Sequence, residues 1–399
     1  MTSFVPIMLG AYWNDGAQSS VTTFRLGLAN GGASLLVALL APVIGAIGDR
    51  AGRRKRGLLT FAAVGVVMTG ALYFVEQGQW PVAVACYVFA TIGFAVSNTL
   101  YDSLLVDIVS PRFYDRVSAY GFALGYLGGA LLFAVNVWMV AAPQSFGLDS
   151  PTVAIRVAFL MVAVWWAVFS LPLLLWVPEH RAADAVTRGA ITAGLRELLA
   201  TLHAVRRHRS LWIFLLAYWL YIDGVYTIIK MAVDFGMSQG LDMQDLISAI
   251  LLTNFIGFPA AMLFGYIGDW FGTRRGIYLA LVVYIAVTVS AVFVTTEAQF
   301  YALAAAIGLV QGGVQSLSRS LYARLIPAGR TGEYFGFYNM LGKFAAVLGP
   351  VLTGSVALIT GSQRAGILSI LLLFMIGLWL LSRVHLAATG EAGTGAPYG

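Results

Sequence analysis

Charge is scarce in this 399-residue chain: Asp, Glu, Lys and Arg make up 11% of it, against about 25% in an average soluble domain. So few ionic groups cannot cover a water-facing sphere of this size, and 59% of the residues are hydrophobic, so the solvent the sequence is built for is a lipid bilayer. Cysteine is nearly missing as well. Cys86 stands alone in an apolar run, where it can close no internal disulfide and reads as packing. The four histidines, His180, His203, His208 and His385, fall in a mid-chain hydrophilic stretch or in the tail, which leaves no imidazole for a metal site or a nucleophile relay inside the membrane. HExxH, P-loop and GxGxxG runs are absent too. The expectation is therefore no enzyme, no catalytic residue, no metal and no cofactor. The net charge of +6 is not gathered on one basic domain, which argues against nucleic acid as a partner. The opening MTSFVPIMLGAYW lacks the basic flank and small-residue cleavage site of a signal peptide.

What the chain does have is a series of long apolar runs. They predict membrane helices over about 24–47, 58–75, 80–109, 118–142, 153–176, 211–235, 246–268, 276–295, 299–326, 334–359 and 364–383, with a fragment over about 3–13. Lys and Arg fall in every second loop: Arg50 to Arg56, Arg112 and Arg116, Arg181 to Arg209, Arg274 and Arg275, and Arg330. The intervening loops carry none, so the basic loops are assigned to the cytoplasm of a multi-pass protein of the cell (inner) membrane. The hydrophilic stretch 177–210 then separates an N-terminal bundle, 1–176, from a C-terminal bundle, 211–383, and 384–399 is a flexible tail. Within the stretch Ile191, Leu195, Leu198, Leu199, Leu202 and Val205 recur at helical spacing beside Arg196, Arg206, Arg207 and Arg209, which predicts a helix on the inner leaflet.

The two halves repeat each other in their most polar loops. Gly45, Gly48, Asp49 and Gly52 recur 220 residues further on as Gly265, Gly268, Asp269 and Gly272, with Arg50 and Arg53 among the basic residues of the first copy and Arg274 among those of the second. Each copy ends the second helix of its half. The doubled loop resembles the signature loop of the major facilitator superfamily. The resemblance implies an all-α integral membrane fold of two six-helix bundles related by a pseudo-two-fold repeat, with a secondary transporter's alternating access to a central cavity. Runs such as LLVALLAPVIGAIGDRAGRRKR (35–56), DGVYTIIKMAVDFG (223–236) and EYFGFYNMLGKFAAVLGPVL (333–352) further resemble its vacuole-effluxer-like branch, related to autophagy-linked amino-acid effluxers. By the same resemblance the loops are gates: Asp49 is expected to cap the inner end of the eleventh helix near Thr331 to Tyr334, and Asp269 the fifth helix near Ser118. Asp107, Asp115, Arg116, Arg324 and Glu333 read as rim charges pairing with the Arg-rich loop.

The repeat also bears on the start. The first helix of the second half begins near Leu211, and its counterpart would begin before Met1. Residues 1–13 would rise only about 20 Å as a helix, against a hydrocarbon core of about 30 Å, so the first helix reads as incomplete. A late start assignment and a curtailed helix are the two readings. The aromatic, Asp- and Trp-rich opening of the family's first helix has no full counterpart here.

Ionisable groups inside a bilayer are costly, which makes each a functional candidate. Counted at about 1.5 Å per residue from the inner helix ends, Arg319 lies about 10 Å deep, Asp102 about 12 Å, Lys343 about 14 Å and Asp223 about 18 Å. Two acids and two bases at similar depth are expected to line one charge-balanced cavity, the alternative being ties between helices. Asn98 and Gln315 stand one turn before Asp102 and Arg319 on the same helix faces. On the seventh helix Asp223, Tyr226 and Lys230 lie close to one face, although Lys230 could instead pair with Asp234. Asp102 or Asp223 could carry a coupling proton. Glycines at 121, 125, 128 and 129, and at 342, 349 and 354, read as sites of close packing or bending. The expected partners are a small polar or zwitterionic solute, an amino acid among them, protons and the bilayer, and the expected state is a monomer. The alternatives are efflux of amphipathic drugs or lipid-like compounds, and a sensor or scaffold that transports nothing.

Overall fold

Twelve helices account for nearly all of the computed structural model, which describes residues 4–14, 18–179, 201–238, 240–327 and 329–385; no strand occurs among them. They are α1 (Phe4–Met8), α2 (Ser19–Ala51), α3 (Arg54–Ala71), α4 (Trp80–Ile108), α5 (Tyr114–Ala141), α6 (Pro151–Trp176), α7 (Arg209–Ser238), α8 (Met243–Phe271), α9 (Thr273–Ala291), α10 (Glu297–Leu325), α11 (Thr331–Thr360) and α12 (Gln363–Ser382). Eleven are long and apolar enough to cross a membrane, α2 to α12, and each overlaps an apolar run of the sequence. With apolar side chains on every face they need no amphipathic stripe; backbone hydrogen bonding closed within each helix is what the hydrocarbon demands. Four helix starts on the outer side carry side-chain caps: Ser150 accepts from Val153 N, Ser362 from Ala365 N, and Asp242 with Asp245 and Thr296 with Gln299 form capping boxes.

α1 runs on into a single π-helical turn, Leu9–Trp13, and does not span. It is nonetheless part of the packed interior. Trp13 is fully enclosed, stacks on Phe159 of α6 at 5.8 Å and sends its indole N–H to Val75 O at 3.4 Å. Trp13→Ala should destabilise the protein by about 3–5 kcal/mol through the cavity it leaves, a loss readable as a lowered melting temperature in detergent.

The first six helices meet the last six along two equivalent seams, α2 with α11 and α5 with α8, supplemented by α4 with α11 and α5 with α10. The motif glycines explain the closeness of both seams. A Cβ on Gly45 would strike the carbonyl of Gly332, and one on Gly265 would stand 2.8 Å from the Cβ of Ala119. Gly52 and Gly272, with φ of 56° and 94°, turn the chain between α2 and α3 and between α8 and α9 in a conformation other residues rarely adopt. The predicted packing role fails at Gly125, Gly129 and Gly354, where an added Cβ would meet nothing within 4 Å.

Of the predicted inner-leaflet helix, Ile191, Leu195, Arg196, Leu198 and Leu199 lie outside the described residues. The chain is helical over 201–207, and there Val205 is fully buried in the core of the second half, with Leu202 packed against that core. Most of the predicted tail, 386–399, also lies outside the described residues; at its start Val384 is buried and its carbonyl accepts from Arg274 Nη1.

Candidate functional site: a charged seam between the halves

Both carboxylate oxygens of Asp49 accept backbone N–H bonds at the first turn of α11, from Gly332 and from Glu333, each at 2.9 Å. This is the position the sequence reading gave it. The free amides of a helix N-terminus and the partial positive charge there favour a carboxylate. Arg54, at the head of α3, then joins three elements: it pairs with Asp49 at 2.7 Å and with Asp107 of α4, and donates to Thr331 Oγ1.

The second copy of the motif is wired differently. Asp269 does not cap α5; it pairs with Arg116, whose guanidinium also lies over the Tyr266 ring at 5.0 Å. Ser118 faces other groups: its hydroxyl donates to Ser316 O at 2.7 Å and accepts from Arg319 Nε at 2.9 Å. The carboxylate buried at this seam is Asp115, only 1% exposed, which accepts from Thr273 Oγ1 at 2.7 Å and from Ser320 and pairs with Arg324 at 3.2 Å. Asp115 is thus an internal tie between α5, α9 and α10 where a rim charge was expected. Glu333, at 3% exposure, is likewise buried, with Arg330 as its partner at 2.7 Å. Asp107 and Arg116 do take the loop-motif partners Arg54 and Asp269.

Deeper in the protein Arg319 of α10 reaches Asp102 of α4 at 2.9 Å. Its other nitrogens donate to Ser118 Oγ and Ser118 O, both at 2.9 Å, and its plane lies 4.7 Å from the Phe122 ring. Asn339 of α11 donates to the second Asp102 oxygen at 3.0 Å. One ion pair therefore ties α4 and α5 of the first half to α10 and α11 of the second, with both side chains largely out of solvent. Within the second half an aromatic layer joins α7, α10 and α11: Tyr218 and Tyr322 stack on Tyr338 at 4.2 and 4.7 Å, and Tyr221 shares a 2.6 Å hydrogen bond with Ser318.

Not every candidate joins this group. Asp223 is wholly buried between α7 and α11, where it accepts the Gly349 N–H at 3.0 Å and the Thr227 hydroxyl at 3.4 Å. Its hydrogen-bond partners are not those of the Asp102–Arg319 pair. Gln315 accepts from Tyr126 Oη at 3.1 Å, Tyr226 is half-buried, and Asn98 and Lys230 are exposed. Lys343 is half-buried one turn beyond Asn339. Among the described residues no cluster of His, Cys, Asp and Glu is arranged to hold a metal. Sequence reasoning overlooked Asn339, the bonding of Ser118 to Arg319 and the tyrosine layer. Asn339 carried a readable signal, being one turn from Lys343 in an otherwise apolar helix.

Comparison with known proteins places this arrangement. The family model described as "Vacuole effluxer Atg22 like" matches residues 16–391. YxiO of Bacillus subtilis (strain 168), an uncharacterised MFS-type transporter, is 33% identical over 93% of this chain and 86% of its own length. Autophagy-related protein 22 of Yarrowia lipolytica is 29% identical over 67% of this chain, a match spanning 50% of that longer protein. The solved structure of the human organic anion transporter MFSD10 shares the fold, with a TM-score of 0.69 at 16% identity, covering 95% of this chain and 88% of that one. The chain is a multi-pass membrane protein of the major facilitator fold, a transporter and not an enzyme, and belongs to the Atg22-like vacuole-effluxer family.

Proposed function

We propose that the chain is a secondary transporter of the cell membrane that carries a small polar solute by alternating access, residues 1–176 and 211–383 rocking about the seam and 177–210 tethering them. The observation that carries this reading is the Arg319–Asp102 pair, 2.9 Å long, inside the span of four helices and formed between the halves. An ion pair so placed is costly to desolvate and a poor device for stability alone. It is a good switch, because it can form in one arrangement of the halves and part in another. With Asp49 on the α11 amides and Asp269 on Arg116, the present arrangement has its inner end shut. Asn98, Tyr226, Lys230, Gln315 and Lys343, which all lie outward of the pair, are the residues we assign to the solute path. The monomer is taken as the working unit, since each chain holds both halves.

Asp102 is our candidate for proton coupling, because it can exchange Arg319 for a proton when the pair opens. In reconstituted vesicles with a pH gradient, Asp102→Asn should lose gradient-driven uptake at least tenfold while keeping solute exchange at zero gradient. Driven uptake at the wild-type rate would remove the assignment.

A further inference from the structure

The duplication that relates the halves gives packed positions in one a counterpart in the other. At the 220-residue spacing of the repeated loop, Leu26 and Ala29 of α2 answer to Leu246 and Ala249 of α8, and Leu9 and Trp13 answer to Ile229 and Val233 of α7. Helices α4 and α10 are both 29 residues long, and counting from their starts at Trp80 and Glu297 pairs Tyr87 with Ala304. From the starts of α3 and α9, at Arg54 and Thr273, Leu72 pairs with Ala291.

In the first half this place is solid. Trp13, Leu72 and Tyr87 are buried, Trp13 lies against the ring of Phe159, and the free volume beside Trp13 and Tyr87 is about 0 Å³. The second half has Val233, Ala291 and Ala304 at the same three positions, and a cavity of about 160 Å³ opens among them, enclosed by α7, α8, α9, α10 and α12. Phe300, standing where the first half has Ala83, gives back only part of the lost bulk. Protein interiors hold few voids larger than a water molecule, so a space of this size, at a place the duplicate packs solid, is an exception.

The walls of the cavity are apolar. Among the described residues no Asp, Glu, Lys or Arg lines it, and the hydroxyls of Thr253 and Thr288 and the amide of Asn254 donate to the backbone carbonyls of Ala249, Tyr284 and Ile250. The rings of Phe235 and Phe300, 6.5 Å apart, stand at its outer end. Ile229 and Ile250 are its exposed wall residues, which places the mouth between α7 and α8. None of the residues assigned to the solute path lines it. An apolar cavity of about 150 Å³ stays free of water and takes one benzene-sized guest.

We infer that this cavity is a second binding site, contained in one half and separate from the solute path, for a neutral apolar molecule of one ring. A carboxylate or an ammonium would give up its water there for walls that return no charge. A ring fits because rings fill the duplicate space, Trp13 and Tyr87, and because Phe235 and Phe300 offer ring edges and faces to it. All the helices that enclose the site belong to the second half, so occupancy does not wait on movement between the halves.

The test keeps one ring and varies its charge. Purified protein in detergent is melted with toluene, benzoate or benzylamine, and a ligand of the native state raises the melting temperature in a saturable way. Toluene should raise it by several degrees, and the two ions should not. Ala304→Phe and Ala291→Leu restore bulk that the first half has at these positions, and each should remove the toluene shift; Val289→Phe, on an exposed face of α9, should keep it. Should Ala304→Phe fail to fold, the smaller Ala291→Leu carries the test. Fluorine NMR of fluorobenzene separates binding from partition into the micelle, with a bound resonance expected in the parent and in Val289→Phe and missing from the filled variants. No shift and no bound resonance at the solubility limit, binding that survives in both filled variants, or an equal shift with benzoate or benzylamine would overturn the site. Hexane displacing fluorobenzene as well as toluene does would overturn the ring assignment and give the cavity to the end of a lipid chain.

Discussion

Gly45→Val should abolish transport while leaving the protein folded, by preventing closure of the inner end. On α2 this glycine faces the backbone of α11, and any Cβ there runs into the carbonyl of Gly332. The obstruction is main chain, so no side chain can rotate aside to relieve it. Overpacking a close contact costs about 1–3 kcal/mol, and each 1.4 kcal/mol is a tenfold change in a population, so the inner-closed state should fall roughly 5- to 150-fold. The cost belongs to one state, because α2 and α11 separate when the inner end opens. Three readouts check this: solute flux in vesicles should vanish, cross-linking of Tyr120→Cys to Tyr266→Cys by a short bismaleimide should drop on the opposite seam, and the melting temperature should move by only a few degrees. Gly31→Val, on the same helix where an added Cβ meets nothing within 4 Å, is the control and should transport normally. A Gly45→Val protein with ordinary flux and ordinary cross-linking would show that this seam does not open.

The spanning helices were legible because lipid imposes one requirement on them, a long run without charge, and the sequence meets it eleven times. Asp49 was legible for a different reason. Its loop recurs, and a carboxylate ending one helix beside the first turn of another has an evident partner in the free amides. Asp269 shows the limit of that inference: the repeat conserves the loop but not its surroundings, and Arg116, Thr273 and Arg324 redistribute the charges so that Asp115 becomes the buried group. Depth along a helix was readable, whereas cover was not. Asp223 and Lys230 lie near one face of α7, yet Asp223 is enclosed because Gly349 lets the backbone of α11 close onto it, and Lys230 remains exposed. Asn339 and the bonding of Ser118 to Arg319 escaped notice because a search for charges passes over the neutral groups that hold them.

The Asp102–Arg319 pair should behave as a unit whose halves are each worth more than the whole. Arg319→Gln leaves Asp102 with Asn339 alone and strips the Ser118 carbonyl of its donor, and removing one partner of a buried pair costs about 3–5 kcal/mol. Asp102→Asn should cost less, since Arg319 keeps its two Ser118 contacts and the cation–π contact with Phe122. Combining the two replaces an ion pair by two amides able to hydrogen-bond at the same place, so most of the loss should return. Unfolding in detergent, measured on the four proteins of the cycle, should give a coupling energy of about 2–3 kcal/mol, the upper part of the range seen for residues in one network. Stability and function then separate, because the amide pair has no charge to exchange with a proton or to part as the halves rock. The double variant should fold nearly as well as the parent and show no gradient-driven transport. Strictly additive losses would mean that the two side chains do not act together, and a double variant with parental gradient-driven transport would reduce the pair to a structural tie.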